Sequence, residues 1–483
     1  MVGSTAAVAS PIKHVVIIYQ ENHSFDNVLG KLCATEARSV PCDGATSGHV
    51  ESGSTVPLQK APDIVPLSNH DTASQAAAVN GGKMDSFDKV KDCTWDQFAP
   101  PPGDVAPYSD CYTQYAPGQI PSLSALARKY AISDRTFEED KVPSWGGHLE
   151  LALAGLGGFT GDNPTPDKTV VTNPGWGCDS NRRARWSPDG GVTPYSWQPS
   201  CIPYPGLDPT RFPFGGAYKQ SAVPYQRTMM DEALGAGLSM HIYAELPPAT
   251  TPGPQPPTAT QPAAGGAAGN ALAPAAGGQV HPNGYAWSIC PSFAKCLYTA
   301  QRGQIFTPKK QLDTDAAAGT LPAISYVMPM GVGGNTSQHN QQSMLIGDNR
   351  IGQVVSEIEN GPAGPSTAIF ITYDDCGCFA DHVAPPAGTS LGIRVPMVIV
   401  SPYAKAGFTD HTVASYASML AFIEHNFGLP PLSSADATAY DYADAFDYTQ
   451  VPLAAETLTQ HPIPADSQRF LLSNPDVAVD DPT

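Results

Sequence analysis

Short β-branched runs that stop abruptly at polar residues dominate the hydropathy pattern. Residues 14–19 (HVVIIY) are apolar at nearly every position and are followed at once by Gln20-Glu21-Asn22. A continuous run of this kind predicts a strand buried on both faces of a parallel sheet. Residues 368–373 (AIFITY) repeat the design and end in Asp374-Asp375, and residues 395–400 (VPMVIV) end in Ser401-Pro402; residues 324–328 form a weaker candidate. Apolar residues three or four apart predict helices over 122–130, 147–154, 351–358 and 416–426. Open α/β sheets bind ligands beyond the carboxyl ends of their strands, so acidic groups that follow separate strands converge on one site.

The pattern therefore predicts an α/β fold with a mostly parallel central sheet flanked by helices. Strands near both ends of the chain imply a single discontinuous core made of residues 1–160 and 300–440. Residues 161–299 dissolve into Pro, Gly, Trp and Cys and read as a loop-rich insertion or cap, with an Ala/Pro/Gly/Thr low-complexity loop at 247–278. The acidic stretch 441–483 reads as a tail that wraps the core. Trp176, Trp186, Tyr195, Trp197, Tyr204, Phe212 and Phe214 form either the core of the insertion or an apolar approach surface.

Charge narrows the partners. The 483 residues carry 26 basic and 45 acidic groups, a formal charge of −19, which repels nucleic acid and limits membrane contact to the peripheral kind. A phosphate ester bound by such a chain needs a local cation. Ten cysteines in mostly loop-like sequence favour an oxidising compartment, hence a secreted or periplasmic protein, with Cys93/Cys111 and Cys290/Cys296 plausible pairs from proximity. Free thiols in a cytosolic enzyme, including a metal-dependent mutase on a related fold, are the alternative. No uncharged, predominantly apolar run reaches the roughly 18 to 20 residues of a membrane span, and residues 1–10 lack the features of a signal peptide, which is expected to be absent from this sequence.

Glu21 and Asn22 offer two oxygen donors suited to a hard divalent cation, although a helix N-cap with an acidic first turn accounts for them equally well. Asp374 and Asp375 repel each other unless a cation or a shared proton intervenes, and one metal satisfies both pairs. His382, after Asp381, is placed to steady a phosphoryl oxygen or protonate a leaving alkoxide; a surface Asp-His turn is the alternative. Ser144, after Pro143, reads on its own as an ordinary N-cap.

QENHSFDNVLG closely resembles the ENxSFD signature of the bacterial phosphoesterase family that contains phospholipases C and acid phosphatases, and YDDCGCFADHVAPP resembles its YDExGGxxDHVxPP signature. NGGKMDSF and VPMVIVSPYAKAGF resemble two further stretches, so the likeness covers the first 160 residues or so and about 320 to 430. The resemblance implies an alkaline-phosphatase-like core with a divalent cation (calcium, magnesium or manganese) held by Glu21, Asn22, Ser144, Asp374 and Asp375. Ser144, in DKVPSWGGHLEL, is implied as the nucleophile, with His70, His339 and His382 around the phosphate and Asp381 as an additional site candidate. Asn340 stands where the family usually reads Pro, and Cys376-Gly377-Cys378 stands where it reads Gly-Gly; disulfides are expected at these two cysteines ahead of thiolate ligation. The implied reaction is phospholipase C-like phosphodiester hydrolysis through a Ser144 phosphoenzyme, acting on phosphate esters that include phospholipid head groups. Acid phosphatase activity is the first alternative, and a catalytically silent secreted metal- or ligand-binding protein is the second.

Overall fold

Eight strands form the central sheet: β1 (His14–Gln20), β2 (Ala131–Ser133), β3 (Met240–Ala244), β4 (Phe306–Pro308), β5 (Ile324–Val327), β6 (Thr367–Tyr373), β7 (Met397–Val400) and β8 (Thr409–Asp410). Their order is β4-β3-β5-β1-β6-β7-β2-β8. The computed structural model describes residues 10–93, 109–166, 176–178, 180, 182–207, 221–244, 285–329 and 336–474. The 247–278 stretch, Phe212 and Phe214 lie outside them. β1 sits between β5 and β6, parallel to both, and its Val15–Ile18 run is buried on both faces, as its unbroken apolar sequence requires. Burying each such side chain contributes about 1.5–3 kcal/mol relative to leaving it exposed.

The sheet is parallel apart from β7, which pairs antiparallel with both β6 and β2. A short buried strand reads the same in either direction, so Ser401-Pro402 leaves the sheet at the opposite edge from Asp374-Asp375, contrary to the repeated design inferred from sequence. The four expected helices are present as α1 (Pro121–Lys129), α2 (Ser144–Leu153), α3 (Met344–Asn360) and α4 (Tyr416–Phe427). Asp348 of α3 accepts from the Ser122 and Leu123 amides at 2.8 Å, which satisfies donors that the first turn of α1 leaves open.

The division of the chain differs from expectation in two places. β3 falls within 161–299 yet belongs to the central sheet, because MHIYA is a five-residue strand among Pro- and Gly-rich neighbours and carries little periodic signal. Likewise Tyr442, Ala445 and Phe446 of the tail are buried, and Phe446 stacks on Phe422 of α4 at 5.1 Å. This part of the tail adds to the core.

Disulfides join Cys33–Cys42, Cys93–Cys111, Cys178–Cys201 and Cys290–Cys296, including both pairs expected from proximity. Cys376 and Cys378 are free and fully buried, which corrects the disulfide expectation for them. Cys378 sits at φ 51° and its amide donates to Cys376 Sγ at 3.1 Å, so the tight turn is held by a thiol contact. Alkylation of the denatured, unreduced chain is expected to label these two cysteines and leave the other eight unlabelled; mass mapping checks it.

Candidate active site

The β1–β6 register places Gln20 opposite Tyr373, so Glu21-Asn22 and Asp374-Asp375 leave neighbouring parallel strands at the same carboxyl edge. Asn22 takes a left-handed conformation (φ 59°), which Asn tolerates better than most side chains, and its amide donates to Asp374 Oδ1 at 3.1 Å. Asp374 Oδ1 also accepts from the Asp375 amide at 2.9 Å, and Asp375 Oδ1 accepts from the Gly377 amide at 2.7 Å. Tyr416 of α4 donates to the Asp374 carbonyl at 2.7 Å. The two turns that carry Glu21-Asn22 and Asp374-Asp375 are thus fixed by backbone groups.

α2 brings Ser144 onto this edge. Its N-cap is Pro143, so Ser144 is the first helical residue and its hydroxyl caps nothing. Ser144 Oγ instead lies 3.1 Å from Asp375 Oδ2, 3.2 Å from Asn22 Oδ1 and 3.5 Å from Glu21 Oε2. A Cβ on Gly147 would fall 2.2 Å from the Asp374 carbonyl oxygen, and a Cβ on Gly377 would fall 2.1 Å from that of Asn22. Glycine at these positions lets helix and turns approach closely enough to bring Ser144 to the acids.

Electrostatics calls for a cation here. Glu21, Asn22, Ser144, Asp374 and Asp375 are all fully buried. Among the described residues Asp374 Oδ2 has no hydrogen-bond partner, nor has His148 Nε2, the ring nitrogen that faces the acids. Glu21, His148 and Asp374 present ligand atoms within 4.8 Å of one another. With its oxygen toward the acids, the Asn22 amide meets only acceptors; the swapped amide would donate to Asp374 and Asp375 at 3.0 and 3.1 Å. A cation among these oxygens would make the first orientation favourable. The donors present therefore fit a metal.

His70 and His339 flank the same amide. Each donates through Nδ1 to a carbonyl, His70 to Ser68 at 2.8 Å and His339 to Asn340 at 2.9 Å, which fixes the tautomer and turns Nε2 toward Asn22. His70 Nε2 also lies 3.6 Å from Asp375 Oδ2. His148 was missed in the sequence: it stands 3.5 Å from Glu21 and 3.8 Å from Asp374, and burial pushes it down to about 4 against the pull of Asp374. Its spacing of four residues from Ser144 puts both on one helix face, which is the signal the sequence carries for it.

The structure does not bring His382 and Asp381 to Ser144. Asp381 pairs with the buried Arg394 at 2.8 Å, and His382 lies between Asp26 at 2.5 Å and Asp43 at 3.0 Å. These residues tie the segment after β1 to the segment after β6, since Asp381 Oδ2 also accepts from the Asp26 amide at 3.1 Å. Although Asp26, Asp381 and His382 cluster closely enough to suggest a second metal, Arg394 already supplies the counter-charge. Burial disfavours the His382 cation, but the hydrogen bond and charge of Asp26, helped by Asp381 and opposed by Arg394, raise it to about 9. Because the folded pKa exceeds the ordinary value of about 6.5, this stabilisation is complete below that pH and fades as pH rises through about 9. The stability difference between wild type and His382→Gln is therefore expected to shrink over that window, as denaturant midpoints across pH will register.

The Phosphoesterase family model matches residues 12–430. The chain belongs to the Phosphoesterase family. Among similar proteins, Phospholipase C B of Mycobacterium tuberculosis is 29% identical over 188 residues, covering 32% of this chain and 36% of the relative. Non-hemolytic phospholipase C of Burkholderia pseudomallei is 32% identical over 145 residues, covering 24% and 20%. Non-specific phospholipase C6 of Arabidopsis thaliana is 27% identical over 171 residues, covering 29% and 33%. The aligned stretches thus span about a third or less of the length of these relatives. A phosphonate monoester hydrolase from Silicibacter pomeroyi overlaps 67% of this chain and 71% of its own at 11% identity and a TM-score of 0.29, too loose to add to the fold argument. The mostly parallel sheet with its helices is the architecture expected of this Phosphoesterase family member, and its acidic and histidine groups are of the kind that bind a metal.

Proposed function

We propose that the chain is an exported, metal-dependent hydrolase of phosphoric esters whose main reaction is phospholipase C-like cleavage of phosphodiesters. The observation that carries this reading is the Ser144 hydroxyl, which opens a helix and faces two carboxylates and a carboxamide instead of capping the helix. Glu21, Asn22, Asp374 and Asp375, with Ser144 itself, would hold the cation, and His148 stands beside them. A bound divalent cation supplies Lewis-acid stabilisation to the phosphoryl oxygens and favours the serine alkoxide.

The side chains then divide the work. Ser144 attacks phosphorus at the positive end of α2, a Ser144 Oγ–P bond forms and the bond from phosphorus to the alcohol oxygen breaks. Asp375, 3.1 Å away, is placed to receive the serine proton. A protonated His70 or His339 gives its Nε2 proton to the departing alcohol and takes one from the water that displaces Ser144, while Asp375 returns the serine proton to Oγ as the Oγ–P bond breaks. Four disulfides support export, and no helix among the described residues is long and apolar enough to cross a membrane.

Side-by-side assays on a soluble phosphocholine diester and a simple phosphomonoester, with each candidate cation or chelator, test the reading. Metal-dependent turnover that favours the diester is expected. Preference for the monoester would make the chain an acid phosphatase, and no turnover of either under any cation would leave a silent binding protein.

A further inference from the structure

Outside the central sheet, Thr165–Pro166, Arg182–Trp186 and Ser196–Pro199 form a small antiparallel sheet. Ala184 and Trp186 are buried beneath it, while Arg183 pairs opposite Pro199 and Arg185 opposite Trp197 on the other face. There the Arg183 guanidinium lies 5.4 Å from the Trp197 ring centre and that of Arg185 lies 5.2 Å from Tyr195. Trp197 remains 51% exposed, and Val192 at the tip is 87% exposed. Arg185 is exposed and shows no carboxylate partner among the described residues. Asp189 in the turn is engaged by Ser187 and Thr193 at 2.7–2.8 Å.

The sheet is joined to the segments that carry Ser144 and His148. Asn163, two residues before the first strand, accepts from the Trp145 amide next to Ser144 at 2.9 Å. The Thr160 amide donates to the Arg185 carbonyl at 3.0 Å. The Cys178–Cys201 bridge links the far end of the sheet to the segment of Trp176, which packs on Trp287 at 4.4 Å, and Trp287 packs on His148 at 5.5 Å.

We propose that the outer face of this sheet, through Arg185, Tyr195, Trp197 and Val192, docks the chain on a phospholipid bilayer. The inference deepens the phospholipase reading and rests on it. Tyr and Trp rings favour the head-group level of a membrane, and guanidinium groups pair with phosphates through paired donors. Stacking on Tyr195 holds the Arg185 guanidinium in place before contact. Since the whole chain carries −19, long-range attraction to the bilayer is absent and docking depends on this short-range patch.

Co-sedimentation of full-length Ser144→Ala protein with mixed phosphatidylcholine–phosphatidylglycerol vesicles tests the proposal without consuming the lipid. Binding is expected, and adding Trp197→Ala with Arg185→Ala is expected to weaken it about fivefold or more. Val192→Asp, at an exposed tip where folding is not at stake, is expected to weaken it as well, and melting temperatures check that both variants fold. No binding by the parent, or equal binding by parent and both variants, would overturn the proposal. Wild-type turnover of the soluble diester separates the two ideas: its loss sinks the phospholipase reading, whereas turnover without patch-dependent vesicle binding sinks the docking surface alone.

Discussion

Replacing Ser144 by alanine is expected to lower kcat on any phosphate ester by at least about three orders of magnitude, with the chain still folded and still able to bind its cation. The loss is large because the hydroxyl is the group that would form the bond to phosphorus, and no neighbouring side chain replaces it. Folding should survive, since Ser144 caps nothing and alanine suits a helical position. Four oxygen-bearing side chains remain at the cation site. Steady-state rates and metal-dependent melting, measured on the same preparations, separate the two effects. Comparable activity in Ser144→Ala would remove serine from the mechanism.

The second large effect concerns the metal. In wild type, a cation at a hundredfold excess over its Kd is expected to raise stability by about 2.7 kcal/mol, because it binds the folded acids and not the dispersed chain. Asp374→Asn should abolish that increment. The asparagine oxygen can keep the two backbone hydrogen bonds made by Asp374 Oδ1, whereas the carboxylate oxygen without a partner is replaced by an amide nitrogen. One buried charge is also removed from a crowded group, so metal-free Asp374→Asn is expected to be at least as stable as metal-free wild type. Thermal melts with calcium, magnesium, manganese or chelator read both signs. A wild type whose melting ignores every cation would refute the ligand set.

Strands β1 and β6 and the four expected helices were legible because unbroken β-branched runs and 3.6-residue periodicity are strong local signals, whereas the nine-residue helix Ala465–Ser473 in the tail was not. The acidic pairs were legible for a related reason: polar residues directly after buried strands can reach only one edge of the sheet. What local pattern could not carry was the direction of β7, the strand identity of Met240–Ala244 and the company kept by His382. Those depend on contacts distant in sequence, such as Arg394 with Asp381 and Asp26. His148 failed to register because a histidine inside an apolar helix looks like core until the helix is docked against Glu21 and Asp374.

Stereochemistry at phosphorus tests the central claim most directly. Hydrolysis of a phosphodiester made chiral with sulfur and oxygen isotopes, with the product configuration assigned, distinguishes one displacement from two. Attack by Ser144 followed by water inverts phosphorus twice, so net retention is the predicted result. Net inversion would show that water attacks the substrate itself and would contradict the assignment of Ser144 as nucleophile.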